Sequence, residues 1–599
     1  RTEFARRTEQ PRRQSFVADA AKEQTASISG KVTVNNKGVA GIVVVVMETN
    51  YNGDWQQRPR HRATTDNEGN YQVAALPVGV YRVEVQAPGF QTQVVSNLSI
   101  EVARTVTQNF QLAVGGIEQQ VSIVSDTPVI EATTTSVGTV INQKTVQDIP
   151  LNGRHFVDLG LLLPGSVTPP QNGFLTAPLR GQGSFAFNTA GNREDTVNFQ
   201  INGINLNDMV QNQITFQPSI NPVQEFKADN STFSAEYGRN SGGIVNIATR
   251  SGSNEYHGEL FEFLRNEALD ARNFFSATKP PFKRNQFGGN LGAPIIKNKA
   301  FFFFSYEGTR QRQGLTFNSG VLTAAERANV TDPVSIRLLE FIPTPNSGIN
   351  RFVGAGTAPV NIDQWTGDVT YAIGNDDRLH GYYAFQRDFR GEPNLQGNTI
   401  TGFGDTRQSR RQIFTLNETH IFGPTLVNEV RFGFNRLNIT FTPNNLTDPS
   451  TLGINVGINQ EIGIPQITVG GIALNLGGPA GFPQGRADTT FVVSDTLNYL
   501  HGNHSFKIGG EFRRFYNNNF NLDTGTFTFA NVAAFQAGTG NGFAITLGDR
   551  SSAIGTGALG LFIQDNFKVR PGLTLELGLR YDWNMTPTWT AYGAVCLRW

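Results

Sequence analysis

The clearest hydrophobic pattern in the chain is a strict two-residue alternation over residues 573–583. Leucine occupies every second position from Leu573 to Leu579, and Tyr581 and Trp583 continue the same side. Successive side chains of a β-strand point to opposite faces, so the pattern predicts a strand with one apolar face. About 11 residues are enough for a tilted strand to cross a hydrocarbon layer, and aromatic residues at the end of the apolar face are typical of a membrane interface. The residues predicted to face lipid are Leu573, Leu575, Leu577 and Leu579.

Several earlier segments repeat this alternation with charged residues on the second face. In residues 378–389, leucine and aromatic residues alternate with charged and amide residues, and Arg387 is an exception on the apolar side. Residues 429–435 and 506–513 follow the same rule. Strands with one apolar and one charged face are typical of a barrel with a polar interior and a lipid-facing exterior. The Asn- and Pro-rich segments 440–457 and 482–489 predict exposed loops between such strands.

Composition narrows the possible classes of protein. A chain of 599 residues is too long for one compact core, so several domains are expected. Lys and Arg total 49, as do Asp and Glu, and a net charge of zero argues against a nucleic-acid-binding protein. No run approaches the about 18 apolar residues of a transmembrane helix. The single Cys596 excludes an internal disulfide, and residues 1–24, without an apolar signal-peptide core, predict a disordered tail.

Residues 25–113 predict a small β-sandwich, because strand-like segments alternate with turn residues. The motifs ISGKV, TTDNEGNY, LPVGVYRVEV and APGF, in this order, resemble the carboxypeptidase regulatory-like domain. The resemblance implies a transthyretin-like or carbohydrate-binding-like fold with no catalytic role of its own. His61 is the only histidine of this segment, and we expect it at the surface or in a loop rather than as a zinc ligand.

Residues 114–252 change character, since Asn and Gly cluster at turns between short Val- and Ile-rich strands, which suits a compact mixed α/β domain. The motifs LNGRHF (151–156), FQINGINLND (199–208) and AEYGRNSGGIVNIATRSG (235–252) resemble the plug domain of TonB-dependent outer-membrane receptors. Residues 256–310 and the hairpin 561–582 resemble barrel strands of the Oar-like subfamily. The sequence therefore predicts a mainly β protein with four parts: a tail (1–24), a sandwich (25–113), a plug (114–252) and the N-terminal part of an antiparallel transmembrane barrel (253–599).

The resemblance implies a receptor or transporter in the outer membrane of a Gram-negative bacterium, surrounded by outer-membrane lipid. A small molecule, glycan or peptide would bind at the extracellular loops and the plug. Energy relayed by the TonB complex of the inner membrane would then shift the plug, which is reached, like the sandwich, from the periplasm. The rival interpretation is a binding or adhesion protein, in which the sandwich recognises glycan or peptide and the barrel is only an anchor.

The plug resemblance also assigns candidate residues. Charges placed inside the barrel would pair with its wall, and the alternative is that they are ordinary surface charges. Asn202-Gly203 predicts a tight turn, and Gly242-Gly243 allows close backbone packing. The charged candidates are Arg154, Arg180, Glu236 and Arg239.

A segment that contacts TonB would add a strand to the edge of its partner's sheet. Residues 118–124 are the best candidate because they lie between sandwich and plug, although they depart from the usual acidic, Thr/Val-rich TonB box. An ordinary first strand of the plug is the alternative. The residues proposed for contact are Glu118, Val121, Ile123 and Val124.

The sequence predicts no enzyme, no metal site and no cofactor. His257 and Glu259 share one face of a strand, and His501 and His504 lie near a turn, but zinc sites need three or four convergent ligands. No helical pattern follows the glycine-rich residues 288–292, and no nucleophile–base motif is present. A carboxypeptidase-related enzyme, the last rival, therefore lacks its catalytic residues.

The number of predicted strands is low for a closed receptor barrel. About 11 to 14 strands can be counted after Gly252, whereas large outer-membrane barrels of this kind close with about 22. Residues 585–599 also depart from the pattern of the subfamily. We therefore expect a truncated or frameshifted receptor with an incomplete barrel.

We predict that Leu577 faces lipid and Glu576 a polar interior. Leu577→Arg near mid-membrane should cost about 2–4 kcal/mol of folding free energy, and Glu576→Gln much less, because only the first places a charge in hydrocarbon. Equilibrium folding into lipid vesicles measures both values. Equal tolerance of the two changes would show that the strand belongs to a soluble sandwich.

Overall fold

The computed structural model describes residues 26–589 with interruptions. The interruptions are 49–59, 77–78, 101–104, 116–119, 125–136, 152–153, 155, 168–186, 190, 193–195, 206, 209–211, 213, 217, 232–233, 239–241, 273–278, 375, 395–396, 424, 458–462, 479–480 and 571–572. The fold is mainly β, as predicted. None of the described helices is both long and apolar enough to span a membrane.

The first ten strands form the N-terminal domain, a sandwich of two sheets. One sheet has the order β2-β1-β5, with β8 and β9 also on β1, and the other has the order β10-β7-β6-β3-β4. Its core contains Val44, Tyr71 and Val83, all fully buried. The strands are β1 (Ala26–Val34), β2 (Lys37–Gly38), β3 (Val43–Glu48), β4 (Arg60–Thr64), β5 (Asn70–Leu76), β6 (Gly79–Gln86), β7 (Thr92–Ile100), β8 (Thr105–Thr107), β9 (Phe110–Gln111) and β10 (Gln120–Val124).

Two features of this domain differ from the sequence expectations. His61 lies inside β4 and is only 9% exposed, so the expected surface or loop position is wrong. The alternation of β4 places His61 on the same face as Ala63, a core residue. The strand β10 pairs in parallel with β7, from Gln120 opposite Thr92 to Val124 opposite Ser96, so it is an edge strand of the N-terminal domain and does not join the next sheet.

The next sheet, with two short helices, forms the inner domain. The sheet order is β11-β14-β15-β12-β13, with β12 and β15 parallel. The helix α1 (Gln143–Asp148) begins where the side chain of Asn142 accepts a hydrogen bond from the Thr145 N–H. A 3₁₀ helix follows at Phe156–Leu162. The strands are β11 (Val137–Asn142), β12 (Asn198–Ile201), β13 (Ile204–Asn205), β14 (Val223–Ser231) and β15 (Ile244–Thr249).

Sixteen further strands follow within the described residues. Twelve form one antiparallel sheet, the wall sheet, whose outermost strands β16 and β30 do not pair with each other. The strands are β16 (His257–Asn266), β17 (Phe282–Ile296), β18 (Ala300–Gly320), β19 (Arg351–Ala372), β20 (Asp377–Glu392), β21 (Asp405–Gly423), β22 (Leu426–Pro443), β23 (Gln466–Val469), β24 (Leu474–Leu476), β25 (Gln484–His501), β26 (His504–Asn521), β27 (Thr526–Phe529), β28 (Gly542–Ala544), β29 (Ser551–Arg570), β30 (Leu573–Asn584) and β31 (Thr588–Trp589).

The alternation predicted for the wall strands is confirmed. In β20, His380 and Gln386 are buried on the inner face, whereas Tyr383 is exposed on the outer face. The connections between wall strands also differ at the two ends of the sheet: β19–β20 and β25–β26 are joined by a few residues, but β18–β19 and β22–β25 by long segments. Short turns on one side and long loops on the other are typical of outer-membrane barrels.

The long connections fold together into a compact layer, the cap. Its four-stranded sheet has the order β24-β23-β27-β28, and its apolar core joins Val321, Ile464 and Phe535 from three different connections. The cap helices are α2 (Ala324–Ala328), α3 (Pro333–Leu338), the 3₁₀ helix Pro449–Leu452 and α4 (Val532–Gln536).

The cap corrects two sequence predictions. The loops expected at 440–457 and 482–489 are partly wrong, because β22 continues to Pro443 and β25 begins at Gln484. The strand count of about 11 to 14 is also too low, because sixteen strands follow Gly252 within the described residues and four of them are short strands of the cap.

Candidate functional site

The wall sheet encloses the inner domain, and the two share one apolar core. Tyr382, Ala384 and Ile413 of β20 and β21 pack with the inner-domain residues Phe199 and Phe226. All five side chains are almost fully buried. The inner face of the wall thus has an apolar contact area on β20 and β21, and the contacts described next are formed by polar side chains.

Asp368 on β19 is the most connected of these polar groups. One carboxylate oxygen accepts hydrogen bonds from Thr249 Oγ1 at 2.9 Å and from His380 Nε2 at 2.7 Å, and the other accepts from Ser251 Oγ at 2.6 Å. Asp368 is 2% exposed. Thr249 ends the last strand of the inner domain and Ser251 follows it, so this carboxylate fixes that end against the wall.

A second contact lies towards the cap. Arg411 of β21 donates to the carbonyl of Thr215 at 2.7 Å and pairs with Asp388 at 3.1 Å. The Thr215 hydroxyl in turn donates to Asn435 on β22 at 2.8 Å. The guanidinium is fully enclosed, so it binds the inner domain without access to water.

The residue Arg486 of β25 extends this contact. It pairs with Asp208 of the inner domain at 3.1 Å and with Asp488 on its own strand at 2.9 Å. One arginine thus pairs with one carboxylate of the inner domain and one of the wall, so it links the two surfaces.

Glu236, one of the charged candidates from the sequence, contacts β26 and β30 of the wall sheet. Lys507 of β26 donates to both of its carboxylate oxygens at 2.9 Å. Arg580 of β30 donates to the Glu236 carbonyl at 2.8 Å. The Lys507 side chain is 32% exposed, so water screens this pair more than the Asp368 contacts.

The predicted residue Arg154 lies against β16 and β18. It donates to Asn221 at 2.8 Å, lies 4.0 Å from Glu307, and stacks over the Phe263 ring at 4.3 Å. Its backbone has a φ of +55°. The remaining charged candidates, Arg180 and Arg239, lie outside the described residues.

The candidate turns have the following geometry. Asn202 and Gly203 join β12 to β13 with φ values of +48° and +78°, and the Asn202 amide donates to Thr249 at 3.0 Å. At Gly242, a Cβ would lie 2.4 Å from Thr196 Oγ1, so the backbone approaches Thr196 too closely for a side chain.

The last two groups of candidates lie on other parts of the molecule. Glu118 is outside the described residues, and Val121, Ile123 and Val124 belong to β10 on the edge of the N-terminal domain. Leu573, Leu575, Leu577 and Leu579 lie exposed on one face of β30, away from the inner domain. Gly578 and Arg580 on the opposite face approach Ala235 and Glu236.

The N-terminal domain touches the wall at its short-turn end. Arg378 at the start of β20 donates to His61 Nδ1 at 3.0 Å. Burial and the neighbouring Arg378 charge lower the pKa of His61 well below its ordinary value of 6.5. The imidazole is therefore neutral, and its Nδ1 has the lone pair that accepts the hydrogen bond from Arg378.

One group of possible metal ligands occurs among the described residues. Asp377, Glu418 and His420 offer donor atoms that all lie within 4.8 Å of one another. They belong to the ends of β20 and β21 on the outer face, and His420 is hydrogen-bonded to Asp377. The candidates His257 and His504 do not belong to such a group within the described ranges.

Sequence reasoning missed Asp368, Arg411 and Arg486, although their alternation identified neighbouring strands. Each is a charged residue on the polar side of a period-two pattern, which is a usable signal. Their partners in the inner domain are 119, 196 and 278 residues away in the sequence, so the pairing cannot be predicted without the strand register.

The architecture and its inner contacts define a β-barrel protein of the outer membrane, and comparison with known families agrees. The chain belongs to the family described as outer membrane beta barrel domain, whose model matches residues 248–331 and 328–595. The carboxypeptidase regulatory-like domain matches residues 27–113, which confirms the resemblance predicted from the motifs there.

The chain is also similar to two named proteins. The chain is 25% identical over 379 residues to the TonB-dependent transporter Oar of Myxococcus xanthus, a match that covers 60% of this chain and 33% of that protein. The chain thus spans about a third of the length of this relative. The fold is also similar to the outer membrane transporter YddB from Escherichia coli, with a TM-score of 0.51, 12% identity, and coverage of 76% of this chain and 59% of that one.

We predict that Asp368→Ala lowers the free energy of unfolding by about 3–5 kcal/mol, because two buried donors, Thr249 and His380, and the half-buried Ser251 lose their acceptor. Asp363→Ala on the same strand is the matched control. Its carboxylate is on the outer face and 27% exposed, so the loss should be about 0–1 kcal/mol. Denaturant unfolding of the refolded chain measures both, and equal losses would contradict the anchoring role of Asp368.

We also predict that the contact between His61 and Arg378 weakens in acid. The folded pKa of His61 lies below its unfolded value, so its contribution to stability is present above about pH 6.5 and is lost as the pH falls through the folded pKa. His61→Gln keeps an acceptor that does not titrate. The difference in thermal midpoint between wild type and His61→Gln should therefore change between pH 7 and lower pH, and a constant difference would contradict the prediction.

Proposed function

We propose that the protein acts as a TonB-dependent receptor and transporter of the outer membrane, with the inner domain as its plug. The observation that carries this proposal is the polar contact between inner domain and wall, formed by Asp368, Arg411, Arg486 and Lys507. A permanent structural core would be apolar, whereas hydrogen bonds and ion pairs can be exchanged for water when the plug shifts.

The direction of such a shift follows from where the contacts are buried. Asp368 and Arg411 are enclosed, but the Lys507–Glu236 pair is partly open to solvent. Exposed pairs contribute little and are easily broken. The plug would therefore separate first from β26 and β30 and remain attached to β19–β21.

A substrate would reach the plug from the cap side. Four buried charges line the inner face there, on neighbouring strands: Arg390 and Glu392 on β20, and Asp405 and Arg407 on β21. The two positive and two negative charges cancel. The group therefore offers hydrogen-bond donors and acceptors without favouring a substrate of either net charge. This arrangement suits a polar substrate, whether small molecule, glycan or peptide. The relatives are transporters, and we propose no catalytic step.

The partner on the periplasmic side would be the TonB complex, and β10 is the segment proposed to contact it. The strand is held by backbone pairing with β7. Pairing with an edge strand of TonB would use the opposite row of backbone groups, because β10 is the outermost strand of the described sheet. Engagement of this outer edge therefore does not require release of β10 from β7.

We predict that a photo-crosslinking amino acid at Ile123, in cells that make this protein, forms a covalent adduct with TonB. The reason is that the outer edge of β10 offers a row of backbone groups that can pair with a further strand. Immunoblotting for TonB after irradiation measures the adduct.

The matched control is Thr64 on β4, the opposite edge of the same sheet, where no adduct is expected. Adducts at neither position would favour the adhesion protein with an anchoring barrel. Adducts at both positions would mean that TonB contacts the domain without selecting β10.

A further inference from the structure

A group of arginines lies on the outer face of the wall sheet. Arg387 lies between Gln386 and Asp388, each 1% exposed, and is itself exposed. Because side chains alternate along a strand, Arg387 points outwards. Arg410 has the same position relative to its buried neighbours on β21. The group, called here the outer arginine band, consists of Arg310, Arg312, Arg387, Arg410 and Arg436.

Positive charge is concentrated within this band. Arg387 and Arg410 stand directly opposite each other on β20 and β21, where like charges repel. Neither makes an ion pair or a side-chain hydrogen bond with the rest of the described chain. Asp363 is the acidic side chain beside them on the outer face, and it is bound by Arg310 at 2.7 Å and by the Tyr306 hydroxyl at 2.8 Å.

The height of the band coincides with a membrane boundary. Arg310, Arg387 and Arg436 are each ten residues from the short-turn end of β18, β20 and β22. Ten residues of a strand tilted by about 40° rise about 25 Å, which equals the height of the apolar band of an outer-membrane barrel. The band therefore lies where the hydrocarbon ends on the long-loop side.

The outer face below the band supports this placement. Between the arginines and the short turns, the outward positions carry Trp365, Tyr383, Phe432 and Phe491, all more than a third exposed. Such side chains suit hydrocarbon and its interface. The stems of the arginines can follow this apolar surface while their guanidinium groups reach the headgroups.

We propose that the outer arginine band binds phosphate groups of lipid headgroups in the leaflet at the long-loop end. A guanidinium presents paired N–H donors that match phosphate oxygens. Two opposed guanidinium groups, Arg387 and Arg410, suit a phosphomonoester, which carries nearly two negative charges. Binding would replace the repulsion between them by attraction to a shared anion. The inference rests on the outer-membrane placement of the wall and not on transport, so a failure of the proposed uptake leaves it standing.

The experiment uses the full chain refolded in micelles of an uncharged detergent. Its probes are a bisphosphorylated disaccharide lipid, the same lipid without phosphates, and inorganic phosphate. Native mass spectrometry or thermophoresis gives the affinities. We expect binding of the phosphorylated lipid alone, and a loss of about tenfold or more in Arg387→Gln/Arg410→Gln.

Arg514→Gln is the matched control. Arg514 also points outwards, ten residues from the short-turn end of β26, but it stacks on Tyr516 away from the band. The affinity of the Arg514→Gln variant for the phosphorylated lipid should stay within about twofold of wild type. Equal losses in both variants, equal binding of the dephosphorylated lipid, or equal binding of inorganic phosphate would each overturn the proposal.

If the double variant does not refold, the affinity of the wild-type protein for the phosphorylated lipid is measured at increasing salt concentration. Binding to an exposed arginine band has to weaken as ionic strength rises. An affinity for the phosphorylated lipid that does not change with salt would overturn the proposal.

Discussion

The register of the wall sheet is the constraint on which the rest of the structure depends. Each wall strand has one face for lipid and one for the inner domain, and a slip of one residue would exchange them. On β19, such a slip would turn Asp368 outwards and Trp365 inwards. The carboxylate would then lose the Thr249, Ser251 and His380 donors. Backbone pairing therefore decides which charges can reach the inner domain at all.

The inner domain is held unevenly as a result. Around β19–β21 it shares an apolar core with the wall through Tyr382 and Ile413, and enclosed charges reinforce that side. Around β26 and β30 it is held by Lys507 and Arg580, whose contacts are closer to solvent. One side acts as an attachment and the other as a contact that water can replace, and this asymmetry supports the proposal that the inner domain is a movable plug.

The sequence predicted this fold well where structure follows from local periodicity. The alternation at residues 378–389 and 573–583 identified two wall strands and their faces, since a period of two needs only neighbouring residues. The cap was missed because Val321, Ile464 and Phe535 come together only after three connections meet. His61 was misplaced for a related reason, because the short strand β4 gains its burial from the sheet around it and from Arg378.

The site was predictable only in part for the same reason. Glu236 and Arg154 were identified through motifs, but Asp368 and Arg411 carry no motif and depend on partners set by register. Their contacts join positions 119 and 196 residues apart. Local sequence can show that such a residue faces inwards, but not what it meets.

Arg387 shows how a departure from a local rule can be informative. From Leu379 to Phe389 the outer side of β20 is otherwise without charge, and an uncompensated charge there is costly unless something outside the protein binds it. The opposite rim of the outer face carries Asp377, Glu418 and His420 instead. On β20 and β21 the outer face thus carries two carboxylates near the short turns and two arginines near the cap. A wall sheet inserted in the reverse orientation would bring the arginines to the other leaflet, so the proposed lipid contact would favour one orientation in an asymmetric membrane.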